Sequence, residues 1–190
     1  MTANLWQSRP LVDIVLDAIP GERAALVGTS FGGRAALEAA ASAPERVEAL
    51  VVIGTNPFEW SDEVKAVAAQ EEALYDEGRL DDAAEVMVRA WLVGPHRAED
   101  DVPRELRELV FAMQRGIYEL DEEPQRGPFE PENVRTRMLF IRGELDWPDI
   151  ARAAERFPQA EQAVVEGAAH LPTLERPDEV ARLVGEFLES

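Results

Sequence analysis

Residues 25–33 read Ala-Leu-Val-Gly-Thr-Ser-Phe-Gly-Gly and run without a break into Arg34-Ala35-Ala36-Leu37-Glu38-Ala39-Ala40-Ala41. A short apolar run, a serine between glycines and an alanine-rich segment spell a strand, a sharp turn and a helix. Gly28 and Gly32 leave out the side chains that would clash in such a bend, and the bend lifts Ser30 Oγ clear of the backbone at a helix N-terminus. The stretch therefore limits the chain to an α/β architecture that displays one serine hydroxyl at a strand end, and makes Ser30 a candidate nucleophile.

A serine hydroxyl needs a base, and the base needs an orienting carboxylate. The chain has 2 histidines. His96, in Gly94-Pro95-His96-Arg97, is far from any strand signal and reads as a surface residue. His170 lies in Glu166-Gly167-Ala168-Ala169-His170-Leu171-Pro172, just after the apolar run Ala163-Val164-Val165, where a loop leaving a strand end would carry it. A matching acid stands upstream in Met138-Leu139-Phe140-Ile141-Arg142-Gly143-Glu144-Leu145-Asp146, which reads as strand, turn glycine and carboxylate.

These three stretches, LVGTSFGG at 26–33, RGELDWPDI at 142–150 and GAAHLPTLERPDEV at 167–180, resemble the α/β-hydrolase superfamily from about residue 11 to the C-terminus. Within it the sequence looks most like the lactonase and esterase branch, and is similar to 3-oxoadipate enol-lactonase. The resemblance implies Ser30 as nucleophile, Asp146 as triad acid and His170 as base, with the backbone N–H of Phe31 as an oxyanion donor. It also implies a hydrolase of small carboxylic esters or lactones working through an acyl-enzyme, without cofactor or metal. C–C bond hydrolysis and perhydrolysis use the same triad and stay open. Haloalkane dehalogenation is disfavoured, because it wants a carboxylate where Ser30 stands.

In chain order, Leu11, Val12, Val15, Leu16 and Ile19 mark a first helix, ended by Pro20-Gly21. Strands are expected at 25–28, 47–54, 137–142 and 161–165, with helices at 32–43, after Pro148 and from Pro177 onward. The fold class is thus α/β: a partial α/β-hydrolase fold of about four parallel strands with flanking helices and an all-helical lid insert. Residues 1–56 and 134–190 form the core and 57–133 the lid, with helices near 61–77, 80–92 and 103–120. Trp60, Trp91, Phe111, Met113 and Tyr118 are candidates for the substrate pocket on the lid's inner face. The other reading of each is packing between lid helices.

Composition bounds the rest. Hydrophobic content of 46% excludes a disordered chain, and with no cysteine there is neither a disulfide framework nor a thiolate site. No apolar run is long enough to span a bilayer and the start lacks a signal-peptide pattern, so a cytoplasmic protein without membrane association is expected. The formal charge is −19, which argues against a nucleic-acid partner. It is concentrated: residues 57–133 hold 21 acids and 8 bases, against 6 and 4 in residues 1–56.

The sequence departs from the resemblance in one respect. Complete members carry further strands, a first crossover helix and a loop, often His-Gly, that supplies the second oxyanion donor, all ahead of the helix that here starts near Leu11. Three expectations follow. Strand 25–28 becomes an exposed apolar edge through which a homodimer can form; residues 1–10, with Leu5 and Trp6, cover that edge; or the true start lies upstream. An inactive hydrolase-derived fragment or interaction protein is the alternative function.

Overall fold

In the computed structural model, which describes residues 10–120, 127 and 129–190, four parallel strands form one sheet in sequence order. They are β1 (Ala24–Thr29), β2 (Val47–Ile53), β3 (Met138–Gly143) and β4 (Glu161–Val165). Each lies within a residue or so of its expected span. Parallel neighbours need crossover helices, so both faces of the inner strands are covered, and β2 and β3 read as nearly continuous apolar runs for that reason.

On one face, Leu50 and Val52 of β2 and Met138 and Phe140 of β3 pack against α2 (Phe31–Ser42) and α6 (Pro148–Glu155) through Leu37, Ile150 and Ala153. On the other, Ala49, Val51, Ile53, Leu139 and Ile141 meet Val180 and Phe187 of α8 (Pro177–Glu189). The helix α1 (Leu11–Ala18) lies against α2.

Within the described residues β1 pairs only with β2, so it is the sheet's edge. Its Ala25 and Val27 align with Ala49 and Val51, on the face that α8 covers further along the sheet, and α8 itself packs on β3 and β4. Val27 is accordingly 52% exposed. Leu5 and Trp6, expected as a cover for this edge, lie outside the described residues.

Among its described residues, the segment between β2 and β3 contains helices joined by loops and no strand. It comprises α3 (Asp62–Asp76), α4 (Leu80–Met87), a π-helical turn (Val88–Val93), a 3-10 turn (Glu99–Asp101), α5 (Arg104–Ile117) and a further 3-10 turn (Pro131–Asn133). It forms a small core of Val88, Leu92, Val93, Val102 and Val110, with Leu106 and Phe111 against it and Leu171 and Leu174 from the stretch after β4 joining them. The structure corrects two sequence expectations here. The helix expected at 80–92 changes to π geometry at Val88. Met113, expected on the inner face of the lid, is exposed on α5 together with Leu109 and Ile117, while Val110 is buried. Among the described residues, no helix is long and apolar enough to cross a membrane.

Candidate active site

Ser30 sits between β1 and α2 with φ 51° and ψ −114°, a left-handed conformation that costs a residue with a Cβ about 1–3 kcal/mol. Surrounding bonds hold it there. Its N–H donates to Ile53 O at 2.8 Å, and its carbonyl accepts from the Arg34 N–H at 3.1 Å and from Thr55 Oγ1 at 3.3 Å. The turn needs two residues without a Cβ. At Gly28 one would stand 2.3 Å from Gly32 O, and at Gly33 one would stand 2.0 Å from Thr55 Oγ1. Gly32, expected to be the second of the pair, has nothing within 4 Å of the same position. The helix approaches the buried Thr55 one residue further on than the motif suggests.

Two loops bring the other side chains in. The loop after β3 is pinned by Glu144 N–H to Val165 O at 3.0 Å and Leu145 N–H to Ala168 O at 2.9 Å, which aligns it with the loop after β4. Gly143 permits this approach, since a Cβ there would lie 2.0 Å from Ala169 O. Asp146 and His170 are therefore both buried, at 5% and 3% exposure. His170 Nε2 lies 2.9 Å from Ser30 Oγ, and His170 Nδ1 lies 3.1 Å from each oxygen of Asp146. With a carboxylate facing Nδ1, that nitrogen carries the proton and Nε2 is left to accept from the serine. Asp146 Oδ1 also accepts the Trp147 N–H at 2.8 Å, which fixes the carboxylate's orientation. The structure thus gathers Ser30, Asp146 and His170 from three separate loops into one hydrogen-bonded row that can move a proton off a hydroxyl. Phe31, at the first position of α2, follows the serine and is 38% exposed.

Of the pocket candidates, two lie beside this row. The Trp91 ring is 4.5 Å from the His170 ring between centroids, and Trp60 meets Trp91 edge-on at 5.6 Å. The structure does not bring the other three to it. Phe111 packs in the small core of the helical segment, Met113 is 53% exposed on the outer side of α5, and Tyr118 pairs with Tyr75 at 5.3 Å. Burial, and then the neighbouring Glu71, push the Tyr118 phenol well above its ordinary range. His96 is exposed. Among the described residues, no group of histidine, aspartate and glutamate side chains is placed to hold a metal ion.

Several residues around the row went unforeseen in the sequence. Trp147 Nε1 donates to Ala90 O at 2.8 Å, tying the aspartate's loop to the π-helical turn. Its position directly after Asp146 was the available signal. Arg97 and Glu175 form a buried ion pair behind His170, and being 78 residues apart they offer no sequence signal at all. Asp149, 3% exposed, accepts from the Ser61 N–H at 2.7 Å and from Ser61 Oγ at 3.0 Å. Burial works to raise its carboxyl, but the two Ser61 bonds and Arg152 outweigh it and hold it below the ordinary value. Ser61 caps α3, so this contact anchors the start of the helical segment to α6.

Comparison with known proteins agrees with the architecture. A family model described as alpha/beta hydrolase fold matches residues 4–91. The pimeloyl-[acyl-carrier protein] methyl ester esterase of Aeromonas hydrophila is 27% identical over 204 residues, covering 99% of this chain and 79% of that protein. The enzyme of the same name from Aeromonas salmonicida is 26% identical over 179 residues, covering 86% and 69%. Among solved structures, a carboxylesterase of the ammonia-oxidising thaumarchaeon Nitrososphaera gargenis superposes with a TM-score of 0.71 at 18% identity, over 96% of this chain and 72% of its own. Carboxylesterase CesB of Bacillus subtilis superposes with 0.64 at 26%, over 92% and 62%. Strand order, helix placement and these likenesses point one way: the chain has the alpha/beta hydrolase fold, and the proteins it is similar to include esterases.

Proposed function

We propose that the chain is a serine hydrolase of small carboxylic esters, working through an acyl-enzyme. The observation that carries this is the row Ser30 Oγ, His170 Nε2, His170 Nδ1, Asp146, with separations of 2.9 Å and 3.1 Å. His170 Nε2 takes the Ser30 proton as Oγ attacks the ester carbonyl, and Asp146 stabilises the imidazolium that forms. The oxyanion of the tetrahedral intermediate points at the start of α2, where the Phe31 N–H and the helix's positive pole meet it. Collapse expels the alkoxide, which leaves as the alcohol with the proton from His170. Water, deprotonated by the same nitrogen, then attacks the acyl-serine, releasing the acid and restoring Ser30.

A lactone is an ester whose leaving group stays tethered, and it would pass through the same steps. The names of the relatives favour the acyclic ester. The two Aeromonas names carry an ester bound to a carrier protein, but the acidic composition here favours a free one: residues 57–133 carry 13 more acids than bases, so a carrier presenting an acidic face would be repelled. Trp60 and Trp91 supply an aromatic wall for the substrate beside His170.

The test is pre-steady-state release of nitrophenol from a short-chain 4-nitrophenyl ester. The wild type gives a burst stoichiometric with protein, and Ser30→Ala loses the burst and roughly 10³-fold or more of the turnover. Equal rates from the two proteins would sink the enzyme reading and leave the non-catalytic alternative standing.

A further inference from the structure

The helix that runs through α4 and the π-helical turn ends at Val93, so its last four carbonyls, Ala90 to Val93, have no acceptor role within the helix. Every one of them is taken by a group from outside. Ala90 O accepts from Trp147 Nε1 at 2.8 Å and Trp91 O from the His170 N–H at 3.2 Å. Leu92 O accepts from Arg97 Nη2, and Val93 O from Arg97 Nε at 3.0 Å. Arg97 then reaches across to the histidine's loop, donating from Nη1 to Gly167 O at 3.0 Å and from Nη2 to Glu175 Oε2. Glu175, at the end of α7 (Pro172–Glu175), uses its other oxygen to accept the Ala169 N–H at 2.8 Å. The two side chains are 11% and 3% exposed.

The loop is therefore held at Gly167 and Ala169, just ahead of the imidazole residue, and at His170 itself. All three bonds lead back to one helix end or to the ion pair that caps it. We infer that Arg97 and Glu175 are positioning residues for His170: together they set where the imidazole stands between Ser30 and Asp146, without touching substrate. Only a guanidinium can do this, because the four acceptors lie at different points around a planar fork and a lysine ammonium could reach few of them. The inference rests on the serine-hydrolase reading for its consequence, but the geometry it concerns can be observed without turnover.

Two readouts test it. In the first, Arg97→Ala lowers kcat by roughly 10- to 10²-fold, the cost of a misplacement approaching 1 Å, while KM stays within about two-fold. The pair lines a cavity of about 310 Å³ with Leu106, Leu145 and Gly167, away from Ser30. Ethylguanidinium added to Arg97→Ala enters there and restores part of kcat, whereas ethylammonium does not. In the second, the His170 Nδ1 proton, identified in the nuclear magnetic resonance spectrum by its loss in His170→Gln, shifts or broadens in Arg97→Ala and in Glu175→Gln. Should Arg97→Ala fail to fold, Glu175→Gln carries both readouts, because it keeps its shape and removes only the charge facing Arg97. A folded variant with wild-type kcat and an unmoved His170 proton overturns the inference. A wild type with no turnover whose His170 proton still moves in the variants would sink the esterase reading and uphold the positioning role.

Discussion

Whether Ser30 can hold its left-handed backbone depends on how closely α2 approaches the strand beside it. Gly33 lies against Thr55 Oγ1, and Thr55, fully buried, hydrogen-bonds the Ser30 and Ile53 carbonyls at 3.3 Å and 3.1 Å. Helix propensity alone says that Gly33→Ala should stabilise α2 by about 1 kcal/mol. The 2.0 Å approach says the opposite, since overpacking a filled site costs about 1–3 kcal/mol. The expected outcome of chemical denaturation is a net loss of stability, accompanied by slower acylation, and a Thr55→Ala change in the same chain recovers the stability though not the acylation rate. Such a residue-scale contact was only half visible in the sequence. The motif announced that glycines were needed, but the partner of Gly33 arrives from the far end of β2. Glu38 teaches the same lesson: it stands in the run Ala35-Ala36-Leu37-Glu38-Ala39 as if on a solvent face, yet it is 1% exposed, paired with Arg34 at 2.6 Å and accepting the Gly127 N–H at 3.0 Å.

At the scale of elements, β2 and β3 were legible because parallel strands covered on both faces are apolar at nearly every position, while β1 and β4, less covered, were legible only from the short runs Ala25-Leu26-Val27 and Ala163-Val164-Val165. The helices between β2 and β3 were legible as helices but not in their orientation. In α5 both Val110 and the row Leu109, Met113, Ile117 are apolar, and only packing decides that the first turns inward. The π-helical turn left no sequence mark, because its register change is set by what its end must meet. The join at Asp149 was hidden likewise, yet it has a measurable signature. Its carboxyl is held below the ordinary aspartate value of 3.8, the Ser61 bonds and Arg152 outweighing burial. A depressed folded value means that the charged form stabilises the fold above the unfolded value, and that this contribution fades as pH falls through the folded one. Asp149→Asn is expected to cost about 1–3 kcal/mol at neutral pH. The gap to wild type should narrow once the pH drops below the ordinary aspartate value and close below the depressed one. Urea titrations of both proteins across that range check it, and a gap independent of pH would place the effect in packing rather than charge.

For the whole molecule the decisive asymmetry is between a strongly acidic half and a nearly neutral one. Residues 1–56, with 6 acids and 4 bases, contain β1, the edge of the sheet among the described residues, and β1 itself reads Ala-Ala-Leu-Val-Gly-Thr without a charge or a proline. Sheet edges are ordinarily guarded by such residues, bulges or short length; here the pairing of β1 has one register shift, between Ala24 and Ala25, and the exposed Val27 adds an apolar contact beside the edge. We propose a second copy as the partner: two β1 strands running antiparallel across a two-fold axis would join the sheets and keep the two acidic helical segments apart, their repulsion screened over about 8 Å at physiological salt. The expected outcome is a dimer in light scattering whose fraction grows with protein concentration and with salt. Val27→Lys, which places a charge on each side of the axis, should shift the population to monomer with the circular dichroism unchanged. Ser30 lies one residue beyond β1, so a strand paired there would close off the open side of the serine, and kcat/KM should differ between concentrations that favour monomer and dimer. A wild type that scatters as a monomer at every concentration and salt would remove self-pairing, and with it any concentration dependence of the hydrolytic rate per chain.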